Sequence, residues 1–491
     1  MSEPSLKSKV VSGASWSFLD NFSQQVLSLI IFVIIGRILS PALFGIVSTA
    51  LVFVQLMSGT ILPSLATGMV TLRDPVDEDY DTGFWLCLGV GGFTMVVLIA
   101  VAEPLARAYH IAELANVVRA VSVIVLITGL SYAHSAWARR NFMFRALAMR
   151  HTVSTFIAGA IGITVAVAGY GLAALVLNQV ISAAIGLALL WRAIPWRPKV
   201  RFSRRRARTI LATAVPLGIN QSLQFIAQNF DTALVTFLMG PLSGGLYAAA
   251  KRVITAIQLG LWGPMSSVVL PAFAEVSADA TRFGNVAIRM SRLVMALTAP
   301  LFAGIALTAP YTMVVLFGHK WLGAAPTMQV LGTFAIFAPS LSLINQVVIA
   351  LGRAKLILVF TALQVALSLG AIALVGGGRD PAVIALCLWA PTLVVFILTL
   401  VTLRLLTAFP VRRYLIAIGA PLLCTAIMAG AVLAIPDLHA GPLVQLVVLA
   451  GVGGITYGIA ALLIARAAVA EIFGFLRPLI PQRLKTKLGM A

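Results

Sequence analysis

Stretches of about twenty almost uncharged residues, parted by short charged or Gly/Pro-marked breaks, recur along this chain from Ala14 to about Ile464. Hydrocarbon offers backbone amides no partner, so a segment that crosses it must be an α-helix of about 20 apolar residues or a strand of a closed barrel. The runs here are too long for barrel strands. They predict spans near 14–36, 44–70, 83–102, 117–136, 152–170, 172–191, 211–238 and 245–272. Six more follow near 293–317, 326–350, 356–376, 381–403, 414–435 and 443–465. The fold class is therefore an all-α polytopic membrane protein of about fourteen transmembrane helices.

Composition sharpens that reading. With 60% hydrophobic and 10% charged residues in 491, and a mean hydropathy of +1.02, no aqueous fold could cover the apolar surface. Lys7 and Lys9 ahead of the apolar run 26–35 mimic a signal peptide. No small-residue cleavage site follows, and the segment carries Asp20, Asn21, Gln24 and Gln25, which points to an uncleaved first helix with a cytoplasmic N-terminus. An even number of spans returns the C-terminus to the same side. On that topology the outer side keeps only Arg37, Arg107, Arg119, Lys320 and Arg379, while Lys251 and Arg252 fall inside the eighth span. All the other Lys and Arg, of 35 in total, are on the inner side, as expected when inner loops retain positive charge. The protein is expected to be a multi-pass membrane protein with both termini on the cytoplasmic side.

The net charge of +20 is thus spread over nearly every inner loop. It serves topology and attraction to anionic lipid and does not indicate a nucleic-acid partner. Cys87, Cys387 and Cys424 lie singly in apolar runs, and the five histidines have no ligand spacing, so no metal site is expected. No nucleotide loop or catalytic spacing appears either. No cofactor is expected beyond coupling to an H+ or Na+ gradient or to the membrane potential.

The basic segment from Arg201 to Arg208, with Pro195 and Pro198 ahead of it, divides the spans into halves. The expected organisation is a six-helix bundle over 1–191, a basic cytoplasmic linker over 192–210, a second six-helix bundle over 211–403, and two additional helices with a basic tail over 404–491. A weak repeat supports the division. Ser40-Pro41-Ala42-Leu43-Phe44-Gly45 and Gly240-Pro241-Leu242-Ser243-Gly244-Gly245 stand 200 positions apart, as do Gln24 and Gln224. Each stretch follows a polar-bearing span, as in transporters built from two structural repeats.

Polar side chains within spans are costly and mark candidate pathways. In the seventh span Asn220, Gln224, Gln228 and Asp231 form one helical stripe, with Gln221 and Asn229 beside it. Asp20, Gln24 and Ser28 make a shorter stripe on the first span, flanked by Asn21 and Gln25. Such amides either line a water-filled cavity or bind helices together. Asp231, a lone intramembrane carboxylate, and Asp20 are candidates for ion coupling. Lys251 opens the eighth span, and Thr255, Gln258 and Trp262 continue its face. A cation at mid-bilayer costs about 2.5–3.5 kcal/mol on insertion scales. Lys251 and Arg252 point about 100° apart, so at least one is expected to face the interior, the alternative being snorkelling to the outer headgroups. Arg37 is either an interfacial anchor or part of the same cavity. Pro63, Pro216, Pro264, Pro271, Pro300, Pro310, Pro339 and Pro391 fall in or beside spans, where a missing amide donor bends or breaks a helix.

Gly13-Ala14-Ser15-Trp16, Gly36-Arg37-Ile38-Leu39-Ser40-Pro41 with Phe44-Gly45, and the acidic loop from Arg73-Asp74-Pro75 to Asp81-Thr82-Gly83 carry a family likeness. So do Gly245-Leu246-Tyr247-Ala248-Ala249-Ala250-Lys251-Arg252 and Leu270-Pro271-Ala272-Phe273. Together they resemble the Wzx-type oligosaccharide flippases, the polysaccharide-transporter branch of the multidrug/oligosaccharidyl-lipid/polysaccharide (MOP) exporter superfamily. The resemblance implies two pseudo-symmetric, MATE-like bundles around a central cavity lined by spans one, two, seven and eight. It implies that Arg37, Lys251 and Arg252 hold the pyrophosphate of an undecaprenyl-linked oligosaccharide. Asn21, Gln24, Asn220, Gln221, Gln224, Gln228 and Gln258 would then line the glycan path. Implied partners are membrane lipids, that substrate, and the polysaccharide polymerase with its chain-length and export machinery. The second span has no internal Lys or Arg, unlike lipid II flippases, which favours a surface polysaccharide. The alternatives are a cation-coupled multidrug exporter of the same superfamily and a polysaccharide polymerase or ligase. The latter would need a larger outer loop than this chain offers.

Overall fold

A computed structural model of the chain describes residues 23–276, 280–350, 353–375, 380–406 and 409–476. Asp20 and Asn21 lie outside them. Among the described residues there is no strand. The first half of the chain forms α1 (Ser23–Ile38), α2 (Pro41–Leu56), α3 (Leu62–Val70), α4 (Asp77–Tyr109), α5 (Ala112–Arg140), α6 (Phe144–Val167), α7 (Gly171–Ala193) and α8 (Arg204–Val276). The second half forms α9 (Ala280–Leu307), α10 (Ala309–Phe317), α11 (Ala325–Ala335), α12 (Ala338–Ala350), α13 (Ala354–Val375), α14 (Pro381–Leu406), α15 (Val411–Leu433), α16 (Pro442–Ile464) and α17 (Arg466–Leu476).

Twelve described segments are long and apolar enough to cross a bilayer, and α1 is a shorter apolar helix beside them. The longest, Arg204–Gly260, is no single rod. Gly240 sits at φ 81° and ψ 176°, a conformation open to glycine because it lacks Cβ. There the chain folds back, and one segment supplies two passes. With α1 counted, these segments match the fourteen expected spans.

Several boundaries follow directly from local chemistry. Pro41 occupies the first turn of α2 behind an extended Ser40, where its fixed φ and missing N–H suit a helix start. Pro63 lies in the first turn of α3, and the turn before it, Met57–Ile61, is widened into a π-helix. A proline ring collides with the carbonyl four residues back, and the wider turn makes room for it. Pro300 and Pro391 fall inside α9 and α14, whereas Pro310 lies in the first turn of α10, next to the break at Thr308 that interrupts the expected span 293–317.

The chain forms two compact units, residues 1–263 with 377–381, and residues 264–376 with 382–491. This grouping differs from the repeat-based division, because both arms of α8 up to Gly263 belong to the first unit. Within that unit α4 packs on α5, α6 on α7, and α5 also meets α2, α3 and α7. The expected linker is irregular over 194–203 and is held to the start of α4. Asp81 Oδ1 accepts the Lys199 N–H (2.9 Å), Thr82 Oγ1 accepts that of Ser203 (3.2 Å), and Arg206 reaches Asp79 (2.7 Å) and Glu78 (3.0 Å).

In the second unit α9 is the hub, packed against α11, α12 and α15. Glu471 of α17 accepts two hydrogen bonds from Arg292 of α9, at 2.7 and 3.1 Å. Tyr457 of α16 donates to the Ala296 carbonyl at 2.7 Å. Cys87, Cys387 and Cys424 are buried thiols.

Candidate functional site

Reversal of α8 at Gly240 builds the site. In a continuous helix Asp231 and Lys251 would stand about 30 Å apart at 1.5 Å per residue. Instead Lys251 Nζ lies 2.6 Å from Asp231 Oδ1 and also donates to the Gln228 carbonyl at 2.6 Å. Tyr247 donates its hydroxyl to Asp231 Oδ2 at 2.7 Å, and the Thr232 N–H donates to Oδ1 at 2.7 Å. Asp231 is therefore not the lone carboxylate that its span suggests. Its side chain and that of Lys251 are only 9% and 16% exposed, so each supplies the counter-charge the other needs away from water.

Arg252, the next residue, has a different environment. Its guanidinium donates to the Ser28 hydroxyl on α1 and stands 5.9 Å from the Phe32 ring centre. Its Nε has no hydrogen-bond partner although it is buried. Among the described residues no carboxylate reaches it. A buried guanidinium with an unused donor and no counter-ion is a ready binding point for an anion, which its planar fork can grip in two places.

Both cations line a cavity of about 370 Å³ inside the first unit, walled by α1, α2, α6, α7 and the two arms of α8. Ser28, Phe32 and Ile35 form the α1 wall, Gln55 and Ser48 come from α2, and Asn229 from α8. Among the described residues no carboxylate lines it. With Lys251 matched by Asp231, the interior carries the positive charge of Arg252. Asn178 and Gln179 of α7 and Thr155 of α6 complete the polar wall. The sequence reading left out those three. A clue existed for two of them, because adjacent amides interrupt an otherwise apolar span.

The other expected site residues are distributed unevenly. Arg37 is exposed near the end of α1 and does not line this cavity. Gln24 and Gln258 are half-buried outside its wall. Asn220, Gln224 and Gln228 do form a continuous face, with Gln224 donating to Asn220 at 3.1 Å, but the face is exposed and outside the cavity. Gln221 instead accepts a 3.4 Å hydrogen bond from Ser64 of α3, beside a Thr60–Ser222 hydroxyl contact of 2.9 Å. It acts as helix-to-helix glue, worth about 0.6 kcal/mol for a typical such bond.

The model of a family described as "Polysaccharide biosynthesis protein" matches residues 34–326, a stretch that holds most of the cavity wall. The succinoglycan biosynthesis transport protein ExoT of Rhizobium meliloti is 26% identical over 330 residues, 67% of each chain. The lipopolysaccharide biosynthesis protein WzxC of Escherichia coli is 22% identical over 377 residues, 76% of each chain. Among solved structures, the lipid II flippase MurJ in an inward closed conformation aligns with a TM-score of 0.75 at 15% identity, covering 95% of this chain and 99% of that one. An inward-facing MATE transporter of the MOP superfamily aligns at 0.52 and 14% identity, covering 85% and 95%. The fold is that of the MOP exporters. A matched stretch of this extent, running through the helices that build the cavity, means that the chain belongs to the polysaccharide biosynthesis protein family.

Proposed function

We infer that this protein carries an undecaprenyl-pyrophosphate-linked oligosaccharide across the bacterial inner membrane for assembly of a surface or exported polysaccharide. Arg252 carries the reading: a buried guanidinium, without a carboxylate among the described residues, faces a cavity whose polar wall, apart from the Lys251 held by Asp231, is made of amides and hydroxyls set among apolar side chains. The guanidinium would neutralise the pyrophosphate, and Asn178, Gln179, Gln55 and Asn229 would hydrogen-bond the first sugars. On this reading both chain termini are cytoplasmic, and cargo is loaded on that side before alternating access delivers it outward. Directionality requires a difference in affinity between the two states, drawn from an ion gradient, the membrane potential or consumption of the delivered cargo by a polymerase. Export of cationic drugs would call for a carboxylate facing the cavity, and Asp231 is already bound by Lys251 and Tyr247.

The test is delivery of lipid-linked glycan to the outer leaflet by Arg252→Ala and Arg252→Lys, with membrane abundance followed in parallel. Arg252→Ala is expected to stop delivery. Arg252→Lys should keep part of it, because charge returns without the two-pronged grip. Undiminished delivery by Arg252→Ala at normal abundance would remove the anion site from the reading.

A further inference from the structure

The irregular linker between α7 and α8 is bolted to the protein along one side and turns another side outward. Trp196 is buried, with its ring centre 6.0 Å from that of Tyr80 and 4.9 Å from that of His134. Both backbone groups of Lys199 are in use. Its N–H goes to Asp81, and its carbonyl accepts Trp85 Nε1 and, at 2.8 Å, the Arg201 N–H. That last bond closes a three-residue γ-turn with Val200 at its tip. Val200 is 90% exposed and Phe202 55% exposed. The charges divide in the same way. Arg206 faces α4 and takes up Asp79 and Glu78, while Lys199, Arg201, Arg204 and Arg205 are exposed.

Position decides what the outward side meets. The linker joins the ends of two segments long enough to cross a bilayer, Gly171–Ala193 and the one that begins at Arg204, and lies against the start of a third. It is confined to the layer where hydrocarbon gives way to water. By the charge pattern that layer is the cytoplasmic one. An apolar tip held there has headgroups and the first acyl carbons within reach, and the cations beside it have lipid phosphates.

We propose that this linker is a docking surface for anionic phospholipid: Val200 and Phe202 enter the headgroup layer, and Lys199, Arg201, Arg204 and Arg205 bind the phosphates around them. The proposal does not depend on what the cavity carries. Two features of the surface select the occupant together. An acidic protein or a nucleic acid would match the cations and leave the two apolar side chains in water, whereas a neutral bilayer would cover the apolar pair and leave the cations unmatched. A surface both oily and negatively charged satisfies both. Loop charge by itself attracts such lipid diffusely. The tip at Val200 adds a fixed point of insertion, because hydrogen bonds to Asp81 and Trp85 hold its base. With one side on α4 and the other in the leaflet, the linker ties the entry of α8, the helix that carries Asp231 and Arg252, to the lipid around it.

The experiment places the full chain, carrying Val200→Cys or Phe202→Cys labelled with an NBD fluorophore, in nanodiscs of phosphatidylcholine alone or mixed with phosphatidylglycerol. The three native thiols are buried, which reserves labelling for the introduced one. In the mixed discs the emission should shift to the blue, lipid spin-labelled near its headgroup should quench it, and soluble iodide should quench it less than in the neutral discs. Arg204→Gln and Arg205→Gln on the same labelled chain should weaken the response to phosphatidylglycerol, about fivefold in apparent affinity for each charge removed. Labels equally open to iodide in both discs overturn the proposal. Lipid quenching that is the same in both discs and unchanged by the two Gln substitutions also overturns it, since apolar contact alone would then hold the linker. An undecaprenyl diphosphate-sugar that reproduces the shift in neutral discs, where phosphatidylglycerol fails to produce it in mixed ones, would make the linker a cargo site and overturn the phospholipid assignment.

Discussion

Gly45 of α2 and Gly245 of α8 are locked together: a Cβ on Gly45 would run into the Pro241 carbonyl, and one on Gly245 into the Pro41 carbonyl. Each glycine lies four residues after its proline, and the two pairs stand 200 positions apart. The weak internal repeat is therefore a reciprocal contact within the first unit, where two helix starts pack backbone against backbone. Thr49 and Thr236 bond hydroxyl to hydroxyl beside it, at 2.8 Å, with both side chains fully buried.

Because backbone atoms cannot move aside as a flexible side chain can, Gly45→Ala and Gly245→Ala should each cost about 1–3 kcal/mol through overpacking. Thermal unfolding of the purified protein in detergent reads the loss. Both methyl groups enter one interface, so the double variant should lose less than the sum of the single losses. Strict additivity would separate the two glycines energetically.

The linker over 194–203 depends on Asp81, a fully buried residue whose Oδ1 takes the Lys199 N–H. Trp85 Nε1 donates to the Lys199 carbonyl at 3.0 Å and fastens the same residue from its other side. Asp81→Ala should release the segment and speed tryptic cleavage after Arg197, Lys199 or Arg201. Trp85→Phe should do so more weakly, since one exposed bond is removed. An unchanged cleavage rate in Asp81→Ala would show that Arg206 and its acidic partners hold the linker without it.

How much of this was legible in the sequence depends on the range of each interaction. Spans could be read because the bilayer imposes length and apolarity on each segment separately, and loop charge then orients them. The Pro41/Pro241 correspondence was visible for a related reason, since a helix start is a local event. Pairings across Gly240 were hidden. Helical periodicity places Asp231 and Lys251 on faces of their own arms, but the register between arms is fixed by a glycine turn whose dihedral angles periodicity does not encode. Asp231 therefore read as unpaired. Asn220, Gln224 and Gln228 share one face, yet their neighbour Asn229, about 100° away around the helix from Gln228, lines the cavity. Amphipathicity says that two faces differ and not which of them a third helix will cover.

In the second unit, α17 is fastened to α9 by Glu471, 13% exposed, and Arg292, 26% exposed. Arg289 adds a longer contact of 3.6 Å from a mostly solvated side chain. Glu471→Ala should raise amide hydrogen exchange over 466–471 and leave α4 and α5 unaffected, because those helices belong to the other unit. Arg289→Ala should change little, as an exposed ion pair is worth about 0–1 kcal/mol.

The Asp231–Lys251 pair permits a double-mutant cycle. Removing one partner strands the other charge where little water reaches it, a loss of about 3–5 kcal/mol for buried pairs. Lys251→Met and Asp231→Asn should therefore each lower the unfolding temperature markedly. The combined variant should recover much of the loss, because a neutral amide can still accept the Tyr247 hydroxyl and methionine fills the lysine stem volume. Transport should separate from stability in the same cycle. If Lys251 serves Asp231 and Arg252 serves the anion, the double variant keeps measurable delivery of lipid-linked glycan while Arg252→Ala loses it at equal abundance. A stable double variant with no delivery would mean that Lys251 must leave Asp231 for the cargo during the cycle, making the ion pair a step in transport as well as a support.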